Sequence, residues 1–171
     1  MYQVALASIR LPSVTKNSRS NYHDLLMYNA RCYDVPMKVL FICRANVGRS
    51  QAAMEFYNQL VPGQGASAGT IVDKPGESLK DRFGAIGIIT VMKEHGLDMS
   101  NNERTQLTQS MLAGYEKVIV MAEPETIPEW LASNPKTVIW TIEDAKGQSL
   151  EKTRNIALQI RSKVETLAAN K

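Results

Sequence analysis

The sequence predicts an α/β domain, a three-layer sandwich with a four-stranded parallel sheet flanked by helices and a binding loop directly after the first strand. Three observations lead there. Short unbroken apolar runs recur at Val39–Ile42, Val118–Met121 and Thr137–Trp140, as strands buried on both faces require. Segments of helical period separate them, and strands that alternate with helices form parallel sheets covered on both sides. With 171 residues, 44% of them apolar, the chain has the mass for one such domain and little more.

The elements follow in order. After the strand at Val39–Ile42, a helix is expected from Ser50 to Leu60, with Ala53, Phe56 and Leu60 on its inner face. A weaker strand lies at Gly65–Ala68, reached through a turn at Gly63. Asp81 to His95 reads as a helix stopped by Gly96, and Ser100 as the cap of another that reaches Leu112. The strands at Val118–Met121 and Thr137–Trp140 come next. From Ser149 to Ala168 the period is clearest, with Ile156, Ile160, Val164 and Leu167 at three-to-four spacing. Trp140 ends its strand with two roles open, pocket wall or core.

Residues 1–36 stand apart as an N-terminal extension before a domain at 37–171. They carry Arg10, Lys16, Arg19 and Arg31 against Asp24 and Asp34, most of the formal net charge of +3. The extension is not expected to be a signal peptide, because no positive charge precedes its short apolar stretch and Ser8 interrupts it; an organelle presequence fits its Arg and Ser residues loosely. It is expected to be poorly ordered, or to reflect a start upstream of Met37. A net charge of +3 without a clustered basic face gives no ground for a nucleic-acid partner. No run approaches the roughly 18 apolar residues of a membrane-spanning helix, so no membrane partner is expected either. Two cysteines, Cys32 and Cys43, form no disulfide scaffold and no metal-ligand pattern. A soluble protein of a reducing, cytoplasmic compartment is the expectation, with no metal and no cofactor. His23 and His95 are isolated, and Cys32 reads as an incidental thiol.

Chemistry concentrates in the segment joining the first strand to its helix, Cys43-Arg44-Ala45-Asn46-Val47-Gly48-Arg49-Ser50. In open α/β sheets, ligands bind beyond the carboxyl ends of the strands. A loop of this length can curl its successive N–H groups onto one point, and the helix N-terminus behind it adds positive potential. Both favour a tetrahedral anion. Arg49 supplies a planar fork for two oxygens of that anion, while Asn46 and Gly48 suit a left-handed backbone. A thiol beside a helix N-terminus and an arginine is readily ionised, so Cys43 is expected to act as the nucleophile behind a bound phosphoryl group. Ser50 can donate to its sulfur. Arg44, Ala45, Asn46, Val47, Gly48 and Ser50 are the expected substrate-binding residues.

At these residues the chain resembles the low-molecular-weight protein tyrosine phosphatase family, which shares its fold with the thioredoxin-linked arsenate reductases. The resemblance runs from about Met37 to Leu167. It is carried by VLFICRANVGRSQAAMEF, by SAGT at Ser67 to Thr70, by GLDMS at Gly96 to Ser100, and by the late segments VIVMAEP and WTIEDAKGQSLE. It implies a general acid at Asp144, which would protonate the leaving oxygen and then activate water. Cys43 and Arg49 would be its catalytic partners. Glu143, one residue earlier, is the rival acid, and the sequence does not say which of the two faces inward.

The chain also departs from the family. Gly48 replaces a second loop cysteine, Ala145 replaces the proline after the acid, and Lys146 and Gly147 stand where aromatic residues often line the phosphotyrosine slot. Gln51 resembles the arsenate reductases, yet no cysteine follows Cys43, which excludes a three-cysteine relay. The expected function is a metal-independent phosphomonoesterase of protein-tyrosine-phosphatase type, working through a cysteinyl-phosphate. Its partner would be a phosphorylated protein or a small phosphate monoester. The alternatives are a single-cysteine arsenate reductase coupled to an external thiol, acting on arsenate, and a phosphate-binding module without turnover.

Overall fold

A computed structural model describes residues 36–170. The expected extension at residues 1–36, with Cys32 and His23, lies outside them but for Pro36. Four strands, β1 (Val39–Cys43), β2 (Gly65–Gly69), β3 (Lys117–Val120) and β4 (Thr137–Ile139), form one parallel sheet in the order β2-β1-β3-β4. Four α-helices connect or follow them: α1 (Arg49–Leu60), α2 (Ile86–Glu94), the one-turn α3 (Glu129–Ala132) and α4 (Leu150–Ala169).

β1 lies in the middle of the sheet, and Val39, Leu40, Phe41 and Ile42 are all fully buried. Successive side chains of a strand point to opposite faces. Val39, Phe41 and Cys43 accordingly join the core made with α1, α2 and α4, while Leu40 and Ile42 join a smaller one around Leu112, Val118, Val120 and Leu131. On α4 the predicted stripe of Ile156, Ile160, Val164 and Leu167 is buried, and the Ser149 hydroxyl caps the helix by accepting from the Lys152 N–H. On α1, Ala53 and Phe56 are buried as expected, whereas Leu60 is exposed and Tyr57 packs in its place, edge-on to Phe41.

Two predicted helices are corrected. The segment read as one helix from Asp81 to His95 is a single 3₁₀ turn at Leu79–Asp81, a break, and then α2. Gly84 sits in the break with φ of 87°, a left-handed conformation that ends helical propagation. The helix expected from Ser100 to Leu112 is absent up to residue 108, and a 3₁₀ helix follows at Gln109–Gly114. The backbone of residues 104–107 bonds across the chain instead: Arg104 N–H donates to Glu77 O, Thr105 O accepts from Gly69 N–H, and Leu107 N–H donates to Gly69 O. A segment that finds partners on its neighbours has no need of an internal i to i+4 ladder. Among the described residues, no helix is long and apolar enough to cross a membrane.

Candidate active site

The loop between β1 and α1 lies at the carboxyl end of the central strand. There it borders a cleft of about 320 Å³ lined by Cys43, Ala45, Gly48 and Arg49 of the loop together with Arg82, Phe83, Asp144 and Lys146. The structure therefore brings Cys43 and Arg49, from the ends of one loop, to the same cavity as Asp144, about a hundred residues further along the chain.

Asn46 is the pivot of the loop. Its φ of 54° is left-handed, the conformation expected from its residue type. Its buried amide donates to the hydroxyls of Ser50 and Ser67, both at 3.0 Å, and accepts from the Thr105 N–H at 2.7 Å. Gln51 donates to Asn46 from the first turn of α1 and to the Glu103 carbonyl. Gly48, by contrast, has φ of −100° and acts as the residue before α1, so the left-handed expectation fails there. Gly69 is the glycine that the loop demands. A Cβ on it would stand 2.8 Å from both Arg44 O and Asn46 N.

The Cys43 sulfur is buried and lies 3.1 Å from the Ser50 hydroxyl. Arg49 is 5% exposed. Its guanidinium donates to the carbonyls of Met121, at the end of β3, and Ile142, and to Glu123 at 2.6 Å. It also lies 3.2 Å from Asp144 Oδ2. The Arg49 Nε–H has no partner among the described residues. Burial raises the Glu123 carboxyl, but the Arg49 hydrogen bond, its own backbone N–H and the charges of Arg49 and Arg44 outweigh this and hold it below the ordinary range.

The rival acids separate cleanly. Asp144 turns toward Arg49, and its other oxygen accepts from the Lys146 N–H at 3.2 Å, an Asx turn that holds the carboxylate where a following proline is lacking. Glu143 points away, paired with Lys152 and Gln148. Trp140 takes the core role, packed against Phe41 with Lys163 over its ring. His95 packs edge-on to Phe56. Arg44 is exposed, and Val47 and Gly48 are half-buried at the rim.

Three further residues at the site went unpredicted. Glu123 could have been found, since it follows a strand end beside the sheet's binding edge. Phe83, fully exposed on the cleft wall, and the buried Arg104, which donates to Ala45 O, had no local signal. Among the described residues, no group of three or more His, Cys, Asp or Glu could hold a metal ion.

Residues 38–170 match the model of the low molecular weight phosphotyrosine protein phosphatases. The chain belongs to that family. The glutaredoxin arsenate reductase of Synechocystis is 31% identical over 134 residues, spanning 77% of this chain and 96% of that protein. Among solved structures, Wzb of Vibrio vulnificus in complex with benzylphosphonate superposes with a TM-score of 0.65 at 25% identity, over 79% of this chain and 99% of that one. An arsenate reductase in a phosphate-binding state gives a TM-score of 0.63 at 29% identity, over 78% and 97%. Low molecular weight phosphatase architecture thus accounts for the sheet order and for the position of Cys43 after β1. It indicates a cysteine-based hydrolase or arsenate reductase working on phosphate esters or arsenate.

Proposed function

We propose that the protein is a metal-independent phosphomonoesterase of the protein-tyrosine-phosphatase type. The observation that carries this reading is the meeting of Cys43, Arg49 and Asp144 in one cleft, with Asp144 Oδ2 3.2 Å from Arg49. The nucleophile, the anion-binding fork and a carboxylate at the mouth are the three groups that phosphoryl transfer through an enzyme cysteine uses. The Arg49 Nε–H remains free to donate to a phosphoryl oxygen. Phe83, exposed in the lining of the cleft, offers an aromatic surface for an aryl group in a site where Lys146 and Gly147 replace the family's usual slot aromatics.

In the first step the Cys43 thiolate attacks phosphorus and forms an S–P bond while the ester P–O bond breaks. The leaving oxygen takes a proton from Asp144. In the second step the Asp144 carboxylate takes a proton from water, whose oxygen attacks the cysteinyl-phosphate and releases phosphate and thiolate. The backbone N–H groups of residues 44–49 and the unpartnered Arg49 Nε–H hold the charge that develops on the equatorial oxygens. The Ser50 hydroxyl at 3.1 Å stabilises the sulfur as it departs.

A second reading has its own support. The Synechocystis relative is named an arsenate reductase, and Gln51, the residue that resembles those enzymes, is seated against the loop through Asn46. Here Cys43 would attack arsenate and an external thiol would complete the reduction. Purified protein assayed in parallel with para-nitrophenyl phosphate, and with arsenate plus glutathione and glutaredoxin, separates the two. Phosphatase activity is expected, lost in Cys43→Ser and reduced about 100-fold or more in Asp144→Asn. Arsenite formation without ester hydrolysis favours the reductase. Bound phosphate with neither activity leaves the binding module.

A further inference from the structure

Arg104 is a cation that the proposed chemistry does not use. Its guanidinium is wholly inaccessible to solvent, although a buried charge survives only where paired and hydrogen-bonded. Every acceptor around it is accounted for. Nε donates to Ala45 O at 3.1 Å, Nη1 donates to Glu77 Oε2 at 2.7 Å, and Nη2 lies 2.7 Å from Asp73 Oδ1 as an ion pair out of hydrogen-bond alignment. The backbone of Arg104 is fixed too, bonded in both directions to Glu77 and Gly76.

Its first partner is a carbonyl of the anion-binding loop. In a trans peptide the carbonyl and the following N–H point in opposite directions, so anchoring Ala45 O sets the direction of the Asn46 N–H. The same peptide precedes the one left-handed non-glycine residue described, Asn46. Among the described residues, Arg104 alone donates to Ala45 O. Its other partners lead to another part of the cleft lining. Asp73 and Glu77 are shared with Arg82 at 2.8 and 3.6 Å, and Arg82 and Phe83 line the cavity.

We propose that Arg104 is a positioning residue for anion binding: a buried fork that fixes the Ala45–Asn46 peptide and ties it, through Asp73 and Glu77, to the wall bearing Arg82 and Phe83. Three acceptors in different directions need the planar guanidinium, and a lysine's point charge does not span them. The proposal rests on the loop's being an anion cradle, as the proposed function requires.

The test uses the full chain and inorganic phosphate, with protection of Cys43 from iodoacetamide as the readout. Wild type comes first. If phosphate does not protect Cys43 there, the cradle itself fails, independently of Arg104. If it does, Arg104→Met and Arg104→Lys are compared at a temperature where circular dichroism shows both fully folded. Half-protection is expected to need about tenfold more phosphate in each, the loss of one hydrogen bond to a charged group. KM for para-nitrophenyl phosphate should rise with it, and kcat should fall less. A merely structural role would lower the melting temperature and leave the half-protecting phosphate concentration and KM, which do not depend on the amount of folded protein, at wild-type values. That result in folded variants overturns the proposal. Should neither variant fold, Asp73→Asn, at a half-exposed position, is expected to weaken phosphate protection about threefold, and unchanged protection overturns the proposal equally.

Discussion

At Asn46 one side chain does the work of several. It adopts the left-handed φ that lets the loop turn, and its amide joins Ser50, Ser67 and Thr105 from three parts of the chain. Alanine there removes all of these bonds and tolerates the backbone less well. Asn46→Ala is expected to lose about 2–4 kcal/mol of stability, each buried group left unpaired costing about 1–3 kcal/mol. Denaturant unfolding measures this, and a loss under 1 kcal/mol would show that the loop does not depend on that amide. The residue's importance was legible from sequence because asparagine in a tight strand-to-helix loop has few other uses. Gly48 looked equivalent, but the loop needs only one left-handed residue, and Gly48 serves instead as the step into α1.

At the scale of elements, charged side chains add ion pairs between segments, at the exposed margins of the core as well as beside the cleft. Arg82 and Arg104 hold the Asp73 carboxyl well below the usual carboxylate range. Arg154 on α4 grips Glu94 on α2 with two bonds of 2.7 and 2.8 Å and lowers its carboxyl as well. A carboxyl depressed in the folded state contributes stability above its unfolded value, near 4, and loses that contribution as pH falls through the folded value. The melting temperature is therefore expected to decline as pH drops below about 4. In Asp73→Asn that acid limb should flatten, at the cost of a lower melting temperature at pH 7. An acid limb identical to wild type would show that the Asp73 contacts do not contribute. The missed elements belong to this scale. Apolar periodicity marked β1, β3 and α4, whose buried faces repeat regularly. It could not distinguish a helix at residues 101–108 from a chain whose backbone bonds go to Gly69 and Glu77, because that choice is made by distant partners. Gly84, inside the predicted helix at 81–95, takes the left-handed φ of 87° that divides it, a break that the apolar pattern around it does not show.

Across the whole molecule, the parallel sheet sets the geometry that the proposed chemistry needs. Order β2-β1-β3-β4 places Cys43 at the end of the central strand. Arg49 is braced by the carbonyls of Met121 and Ile142 beyond its neighbours, and Asp144 arrives from the loop after β4. The sequence alone marked Cys43 and Arg49 by their spacing between a buried strand and a helix, whereas Asp144 came through resemblance, and only the folded chain turns it, rather than Glu143, toward Arg49. In the proposed mechanism Cys43 carries the phosphoryl group during turnover. Rapid acid quenching of the full chain with para-nitrophenyl phosphate, followed by mass spectrometry of the peptide containing Cys43, measures it directly. That peptide is expected to be heavier by one phosphoryl group, with the adduct more abundant in Asp144→Asn under conditions where water attack limits turnover, and absent along with turnover in Cys43→Ala. Ester hydrolysis that persists in Cys43→Ala, or proceeds without any adduct on Cys43, would contradict it.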